Sequence, residues 1–528
     1  MTGCPCTAVC RWSIVASLTA LCLWQGLVTA SAYLESSDAY AYLTAWRYAA
    51  KNAPGEKLAL LCNDENRVAP VDRSRLIAVA WERAPDQLSL IDGSGDLGTV
   101  DCVLSSNWHP VSAGERLASN GFAVASTNEY VKTWVRKGVG CSAARLPVAK
   151  VSRTRETLAL ILEAVLVFAP LLLVFGRRGF AWWSLIASFL IAAGLGYVAV
   201  SHPLLAPNGL GTYGGKAKLL YECGGIPESF LNSAGGMALQ PSYPPGLTLL
   251  AYLHFLLSGG CGDRLVQLVV VFVMAALCLA LLRGVSRSSH ALPIVIFYVS
   301  PIAIRMTSGF YAEPFVALLL VLGWRMMRNG RLFVGALVMG MAGLFRPEAG
   351  AAAVIFAACG CVVRGNFRTK LIVVVSAVVP TLIWIATCRL LGYGGLTDWN
   401  VTMMPRFEQV VYAALVVLNS LWKQAIPVFV LLFLVRPDGR RVCSREVLLC
   451  ILPVALLGCA IPLVCGFYDA PYAKWMIDNT VPRLIWYLLS IPMFVMASQP
   501  PAHDFGIIRS RKKNLRCVAQ LLSKHCSR

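Results

Sequence analysis

The chain has 528 residues, of which 57 % are hydrophobic and only 14 % are charged, and its formal net charge is +20. Ordinary soluble domains contain roughly 45–50 % apolar and about 25 % charged residues, so this composition excludes a protein built only from soluble domains. The positive charge does not indicate nucleic-acid binding, because the arginines and lysines stand in short clusters between apolar runs. The positive-inside rule predicts this pattern for cytoplasmic loops. Such clusters include Arg177-Arg178, Arg283 and Arg287, Arg436 to Arg445, and Arg509 to Lys513.

The N-terminal 32 residues are predicted to be a membrane-targeting segment. Residues 12–32 form an apolar run after Arg11, and the small residues Ala30-Ser31-Ala32 are compatible with cleavage of a signal peptide. The alternative is an uncleaved signal anchor, which the further spans downstream favour. Both interpretations predict that the next segment is exported.

Residues 33–156 are predicted to form a small extracytoplasmic α/β module. Lys57–Cys62 and Val100–Leu104 are short apolar runs that suit buried strands, and 38–50 suits a helix. A further short helix and two strands are predicted at Gly114–Asn120, Gly121–Ser126 and Val131–Arg136. This alternation favours a Rossmann-like half-sheet, but without a phosphate-binding glycine pattern.

From Thr157 to residue 498 apolar segments predict an all-α, multi-pass membrane domain. With the first run there are about twelve predicted spans, and the others lie near 157–175, 180–201, 262–283, 289–305, 312–327, 331–346, 349–364, 370–391, 424–436 (extended by part of 409–423), 446–468 and 481–498. If the basic clusters lie on the cytoplasmic side of a cell (inner) membrane, the α/β module and a large loop, 202–261, lie on the outer side. The basic tail, 499–528, is then cytoplasmic. We expect the loop to lie on the membrane surface and to roof a cavity.

Several ionisable residues fall at the predicted external ends of spans or in the large loop. A charge in the middle of a span costs about 2.5–3.5 kcal/mol on insertion scales, so such residues point to function or to pairing. The acids are Glu222, Glu313 and Glu348, and the cations are Lys216, Lys218, Arg305, Arg346 and Arg483. One interpretation is structural ion pairs in contact with interfacial water. The other is sugar transfer from a lipid phosphate, in which a carboxylate takes the acceptor proton and cations hold the departing phosphate.

The chain from about residue 180 to the last span resembles the GT-C superfamily of polytopic glycosyltransferases, which use polyprenyl- or dolichyl-phosphate sugars. The resemblance rests on five segments in the family's order: Lys216–Tyr221, Gln240–Gly246, Ser308–Pro314, Gly343–Gly350 and Val481–Ile485. It implies a GT-C-like helical bundle, a polyprenyl-phosphate-linked sugar as donor, and an envelope glycan, lipid or protein as acceptor. It also adds Tyr243 to the candidate substrate-binding residues Lys216, Lys218, Arg305, Arg346 and Arg483.

The chain departs from the family pattern at positions that matter for catalysis. Where family members have the acid that acts as base, this chain has Asn208, and an amide does not accept a proton at neutral pH. The candidate catalytic positions are therefore Glu222, Glu313, Glu348 and Asn208. Either Glu222 or Glu313 has taken the role, or the chain has lost transferase activity and binds lipid-linked sugar or a partner. A transporter of lipid-linked sugar is a further alternative. The chain has no Asp-rich cluster, so we assign no divalent metal or other cofactor.

Overall fold

A computed structural model describes residues 5–35, 41–54, 57–61, 88–91, 97, 99–106, 111–127, 131–139, 153–175, 182–201, 208–225, 242–283, 291–362, 366–391, 393, 405–427, 430, 445–467 and 472–497. Helices dominate these ranges. In chain order they are α1 (Pro5–Glu35), α2 (Ala41–Asn52), α3 (Val111–Ser119), α4 (Arg153–Phe175), α5 (Trp182–Ser201), α6 (Lys216–Cys223), α7 (Gly246–Ser258), α8 (Leu268–Arg283), α9 (Leu292–Tyr298), α10 (Pro301–Ser308), α11 (Glu313–Arg328), α12 (Leu332–Gly340), α13 (Pro347–Cys361), α14 (Phe367–Leu390), α15 (Phe407–Ser420), α16 (Arg445–Gly466) and α17 (Tyr472–Ala497).

A five-stranded sheet occupies the N-terminal part of the chain. Its strands are β1 (Leu58–Leu61), β2 (Leu88–Ile91), β3 (Cys102–Ser106), β4 (Phe122–Thr127) and β5 (Val131–Arg136), in the order β2-β1-β3-β5-β4. The β1 strand runs parallel to both β2 and β3, whereas β5 runs antiparallel to β3 and β4. The two strands that the apolar runs predict, at 57–62 and 100–104, are therefore neighbours at the centre of this sheet.

Five helices among the described residues are long and apolar enough to cross a membrane, and a sixth span results if one bent helix pair is counted as a single span. The five lie at Arg153–Val174, Trp182–Ser201, Leu265–Arg283, Phe367–Leu390 and Val447–Gly466, each within or beside a predicted span. Other predicted spans correspond to shorter apolar helices, at Val15–Ser31, Leu332–Leu344 and Pro347–Cys361. The protein is thus a helical membrane protein, and twelve full spans remain a prediction.

The predicted span at 289–305 is interrupted in the structure. The α9 helix ends at Tyr298 and α10 starts at Pro301, because a proline at a helix start cannot continue the hydrogen bonding of the preceding turn. The following helix α11 then bends by 110° from α10. The bend passes through Phe310, a buried non-glycine residue with a left-handed backbone conformation, φ 54°. Such conformations are strained and occur mainly where surrounding structure enforces them.

The described parts of the 202–261 segment are helical and pack into the bundle. They comprise a π-helical turn at Asn208–Gly215, the short helix α6, and α7, which packs against α4 and α6. Residues 246–258 are almost entirely apolar, so burial against other helices removes more apolar surface from water than a surface position would. These residues are therefore helices of the bundle, and their position at the membrane surface stays a prediction.

Glycines allow the central helices to approach each other closely. Gly323 of α11 and Gly335 of α12 face each other, and a Cβ added to Gly323 would lie 2.5 Å from the Gly335 carbonyl oxygen. Small residues at such contacts let helix backbones pack in a membrane, where packing and not the hydrophobic effect drives association. These contacts set the geometry of α11, whose first residue is Glu313.

Candidate functional site

Two arginines from distant parts of the chain share one buried carboxylate. Glu313 is the first residue of α11, and its side chain is fully buried. The Oε1 atom of this side chain accepts a hydrogen bond from Nη1 of Arg346, and Nη1 of Arg483 lies 2.9 Å from the same oxygen. Arg346 immediately precedes α13, whereas Arg483 lies within α17. The structure therefore joins three sequence-predicted site residues that are far apart in the chain.

Glu348 is the second acid of this cluster and is the more accessible one. Arg346 donates from Nη2 to Oε1 of Glu348 at 3.1 Å and from Nε to Oε2 at 3.3 Å. The Glu348 side chain is 31 % exposed, compared with 0 % for Glu313. A group that exchanges protons with a substrate must be reachable, so Glu348 suits that task and Glu313 does not.

The positions of both acids follow from local helix chemistry. Glu313 and Glu348 each stand in the first turn of a helix, and a proline, Pro314 or Pro347, stands at the helix start. Proline is favoured there because the first backbone N–H groups have no helical partner. The partial positive charge at a helix N-terminus also stabilises a carboxylate. The sequence patterns Glu-Pro and Arg-Pro-Glu thus direct both acids toward the same end of the bundle.

Aromatic rings line the cationic side of the cluster. The Arg483 guanidinium lies 4.3 Å from the ring centre of Tyr311. Tyr243 has the Arg346 guanidinium at 5.9 Å and the Lys216 ammonium at 6.0 Å from its ring centre. Cations over aromatic faces are attracted by the ring quadrupole, which helps to hold them in place.

Lys216 joins the cluster through Tyr243. Its Nζ donates a hydrogen bond to the backbone carbonyl of Tyr243 at 3.1 Å. The residue is only 3 % exposed, and burial lowers the pKa of its ammonium group from 10.5 to about 7. The desolvation of the charged form is the main cause of this shift. Lys216 is therefore close to its titration point at neutral pH.

The structure does not bring all predicted residues into the cluster. Glu222 pairs with Lys218 at 3.7 Å, one turn apart on α6, and its side chain is 42 % exposed. Six residues separate Lys216 from Glu222 along α6, which corresponds to about 9 Å of helix rise. Arg305 instead hydrogen-bonds the side-chain oxygen of Asn479, whose backbone carbonyl accepts from Arg483, so it borders the cluster.

Asn208 is the first residue of the π-helical turn, and its side chain lies outside what the structure describes. In the same turn, Tyr213 is buried and meets Tyr243 edge-on, with ring centres 5.9 Å apart. Sequence reasoning missed Tyr213, Tyr311 and Asn479. Tyr311 and Asn479 lie within a few residues of the predicted site residues Glu313 and Arg483, and Tyr213 lies in the glycine-rich run Asn208–Gly215. This proximity in sequence is the signal that could have found them.

A large apolar cavity lies along α17, the helix that carries Arg483. It measures about 1000 Å³ between α15, α16 and α17 and is lined by apolar residues. Its lining includes Val410, Val417, Ile451, Leu463, Leu489 and Met496. The helix α17 contributes both Arg483 to the ionic cluster and Leu489, Pro492 and Met496 to the cavity. A cavity with this lining suits a hydrocarbon chain.

Within the described ranges, no group of three or more His, Cys, Asp or Glu side chains is arranged to hold a metal ion. Comparisons of the chain with protein-family models, with curated proteins and with solved structures found no match.

Proposed function

We propose that the protein is a membrane glycosyltransferase that moves a sugar from a polyprenyl-phosphate donor to an envelope acceptor. The observation that carries this proposal is the meeting of Glu313, Arg346, Glu348 and Arg483 in one cluster. These residues come from the segments that resemble the GT-C superfamily. The orientation that places this cluster at the outer face of the membrane is part of the proposal.

In the proposed reaction, the acceptor hydroxyl oxygen attacks the anomeric carbon of the donor sugar. The bond between that carbon and the phosphate oxygen breaks, and polyprenyl phosphate leaves with the electron pair. Glu348 takes the hydroxyl proton, because its carboxylate is partly exposed. Arg346, Arg483 and Lys216 offset the charge that develops on the departing phosphate.

Glu313 serves as a positioning residue in this proposal. Its carboxylate is fully buried and holds both arginines, so it orients the phosphate-binding groups and does not act as a base. The apolar cavity beside α17 accommodates part of the prenyl chain. A donor that is both anionic and strongly apolar matches this combination of a cationic cluster and a hydrocarbon-sized cavity.

The second candidate function is transport of lipid-linked sugar. The break of 110° between α10 and α11, next to Glu313, favours it, because interrupted helices at ligand sites are a feature of transporters. The third candidate function is binding of lipid-linked sugar without transfer. The contact of two arginines with the Glu313 carboxylate supports it.

The test is donor consumption by the full chain in liposomes that contain a radiolabelled polyprenyl-phosphate sugar and envelope extract as acceptor. We expect sugar to appear on an acceptor, and Glu348→Gln to lower the rate by about 100-fold or more, as loss of a general base does. The control is Glu222→Gln, which changes an exposed acid of α6. Donor movement between leaflets without sugar transfer would overturn the proposal in favour of transport. Donor binding without either would favour a binding protein.

A further inference from the structure

A second buried pair of ionisable side chains lies apart from the residues assigned above. Nδ1 of His254 on α7 is 2.9 Å from Oε1 of Glu163 on α4, and their side chains are 0 % and 3 % exposed. Glu163 follows the start of α4 by ten residues, or about 15 Å of helix rise. Because a bilayer core is about 30 Å thick, this acid lies near the middle of its span.

Each side chain of the pair has one polar atom outside this contact. Among the described residues, neither Oε2 of Glu163 nor Nε2 of His254 has a hydrogen-bond partner. Phe255, the next residue along α7, meets the imidazole ring edge-on, with ring centres 6.1 Å apart. The titratable groups on the elements packed against α4 and α7 are Tyr213, Lys216, Lys218, Tyr221, Glu222, Cys223, Cys278, Arg283, Glu313, Arg325 and Arg328, with Arg153, Arg155, Glu156 and Tyr252 on the two helices themselves.

The geometry points to a proton-binding site formed by Glu163 and His254, in which a bound proton fastens α7 to α4. The protonation states differ in net charge. With no added proton, the pair is a carboxylate beside a neutral imidazole and carries −1. With one added proton it is net neutral, and with two it carries +1. Burial in an apolar environment disfavours a net charge, which favours the state with one added proton.

The bound proton also strengthens the contact between the two helices. Without this proton, a neutral imidazole donates the hydrogen bond to the carboxylate. With it, the donor is an imidazolium, and the hydrogen bond between the two charged groups is roughly twice as strong. Because the second atoms of both groups have no partner among the described residues, this single contact carries the polar part of the interaction.

The α7 helix links this pair to the ionic cluster. It begins at Gly246, where an added Cβ would lie 2.7 Å from the carbonyl oxygen of Leu344, two residues before Arg346. Tyr243, which contacts Lys216 and Arg346, lies three residues before that start. Loss of the proton would therefore loosen the segment that carries one wall of the cluster. This inference does not depend on the glycosyltransferase proposal, because its tests need no sugar donor.

The first test is infrared spectroscopy of the full chain in nanodiscs at neutral pH. In His254→Phe, Glu163 loses its partner and must take up the proton itself, because an isolated ionised carboxylate is strongly disfavoured in an apolar environment. We expect a new band of a protonated carboxyl group, which is absent from the double variant with Glu163→Gln. No such band in His254→Phe would show that Glu163 stays ionised alone, and this would overturn the inference.

The second test is hydrogen exchange of the amides of residues 246–258, measured by mass spectrometry. In Glu163→Gln and His254→Phe we expect these amides to exchange about tenfold faster than in the wild type, or more. This is the factor that loss of a charge-assisted hydrogen bond gives. Tyr252→Phe, on the same helix, is the control and should exchange as the wild type does. In the wild type itself, raising the pH should speed exchange in 246–258 but not in 367–390, after correction for intrinsic rates. Unchanged exchange in all of these comparisons would overturn the inference.

Discussion

Arg483 and Arg346 approach the same oxygen of Glu313 from two helices, and the Arg483 nitrogen lies 2.9 Å from it. One carboxylate thus contacts two guanidinium groups that are each 3 % exposed, and Glu348 supplies a second negative charge next to Arg346. This sharing ties α11, the start of α13 and α17 together at one end of the bundle. The candidate site is therefore also a structural joint, and its residues are expected to affect stability as well as function.

The first prediction concerns Glu313→Gln. The substitution leaves two buried arginines without their shared charge partner, and breaking a buried ion pair by removing one partner costs about 3–5 kcal/mol. We expect a clear drop in the thermal unfolding midpoint of the purified protein in detergent. Glu222→Gln is the matched control, because Glu222 is 42 % exposed and pairs only with Lys218 among the described contacts. A Glu313→Gln protein as stable as that control would contradict the pairing.

The second prediction concerns the contact of Arg483 with Tyr311. The guanidinium lies 4.3 Å from the ring centre, in the arrangement of a cation–π interaction, which contributes about 0.5–2 kcal/mol. Tyr311→Leu should lower the unfolding midpoint, whereas Tyr311→Phe, which keeps the ring face, should retain most of it. Equal losses in both variants would assign the contribution to the tyrosine hydroxyl instead.

The third prediction concerns the glycine contact between α11 and α12. A Cβ on Gly323 would lie 2.5 Å from the Gly335 carbonyl oxygen, so Gly323→Ala forces the two helices apart and is expected to destabilise the protein by about 1–3 kcal/mol. Gly194 in α5 has open space where its Cβ would stand, so Gly194→Ala is the control. Its effect should be neutral or stabilising, because alanine favours the helix by about 1 kcal/mol. The order of the two unfolding midpoints decides the prediction.

The fourth prediction concerns the pH dependence that Lys216 confers. Burial lowers the pKa of Lys216 to about 7 in the folded protein, against 10.5 for the unperturbed group. Between these two values the unfolded chain binds more protons than the folded one, so this residue makes stability rise with pH from about 7 to about 10.5. Below pH 7 Lys216 is protonated in both the folded and the unfolded state. The folded protein then carries the full cost of burying the charged ammonium group, so the contribution of Lys216 to stability is at its lowest.

Unfolding midpoints measured from pH 6 to 10 in the wild type, Lys216→Met and Lys218→Met provide the check. We expect the rise above pH 7 to be smaller in Lys216→Met and unchanged in Lys218→Met, whose parent lysine pairs with Glu222 on the same helix face. A pH profile of Lys216→Met that parallels the wild type would show that Lys216 does not titrate in this range.

The amino-acid sequence by itself determined the membrane character of the protein and the local placement of several site residues. Apolar runs of about 20 residues have few alternatives to a membrane helix, since backbone polar groups in lipid must bond within the helix. The Glu-Pro and Arg-Pro-Glu patterns likewise place acids at helix starts, and the Lys218–Glu222 pair follows from their spacing of four residues.

Only the tertiary structure decided which of these residues meet. Arg346 and Glu313 are 33 residues apart and Glu163 and His254 are 91 apart, and no local rule relates such positions. The bend through Phe310 places Glu313 near the arginines, and the packing of residues 246–258 against α4 places His254 next to Glu163. Both follow from the packing of whole helices, because the apolar area that a segment buries depends on neighbours that its own sequence does not specify.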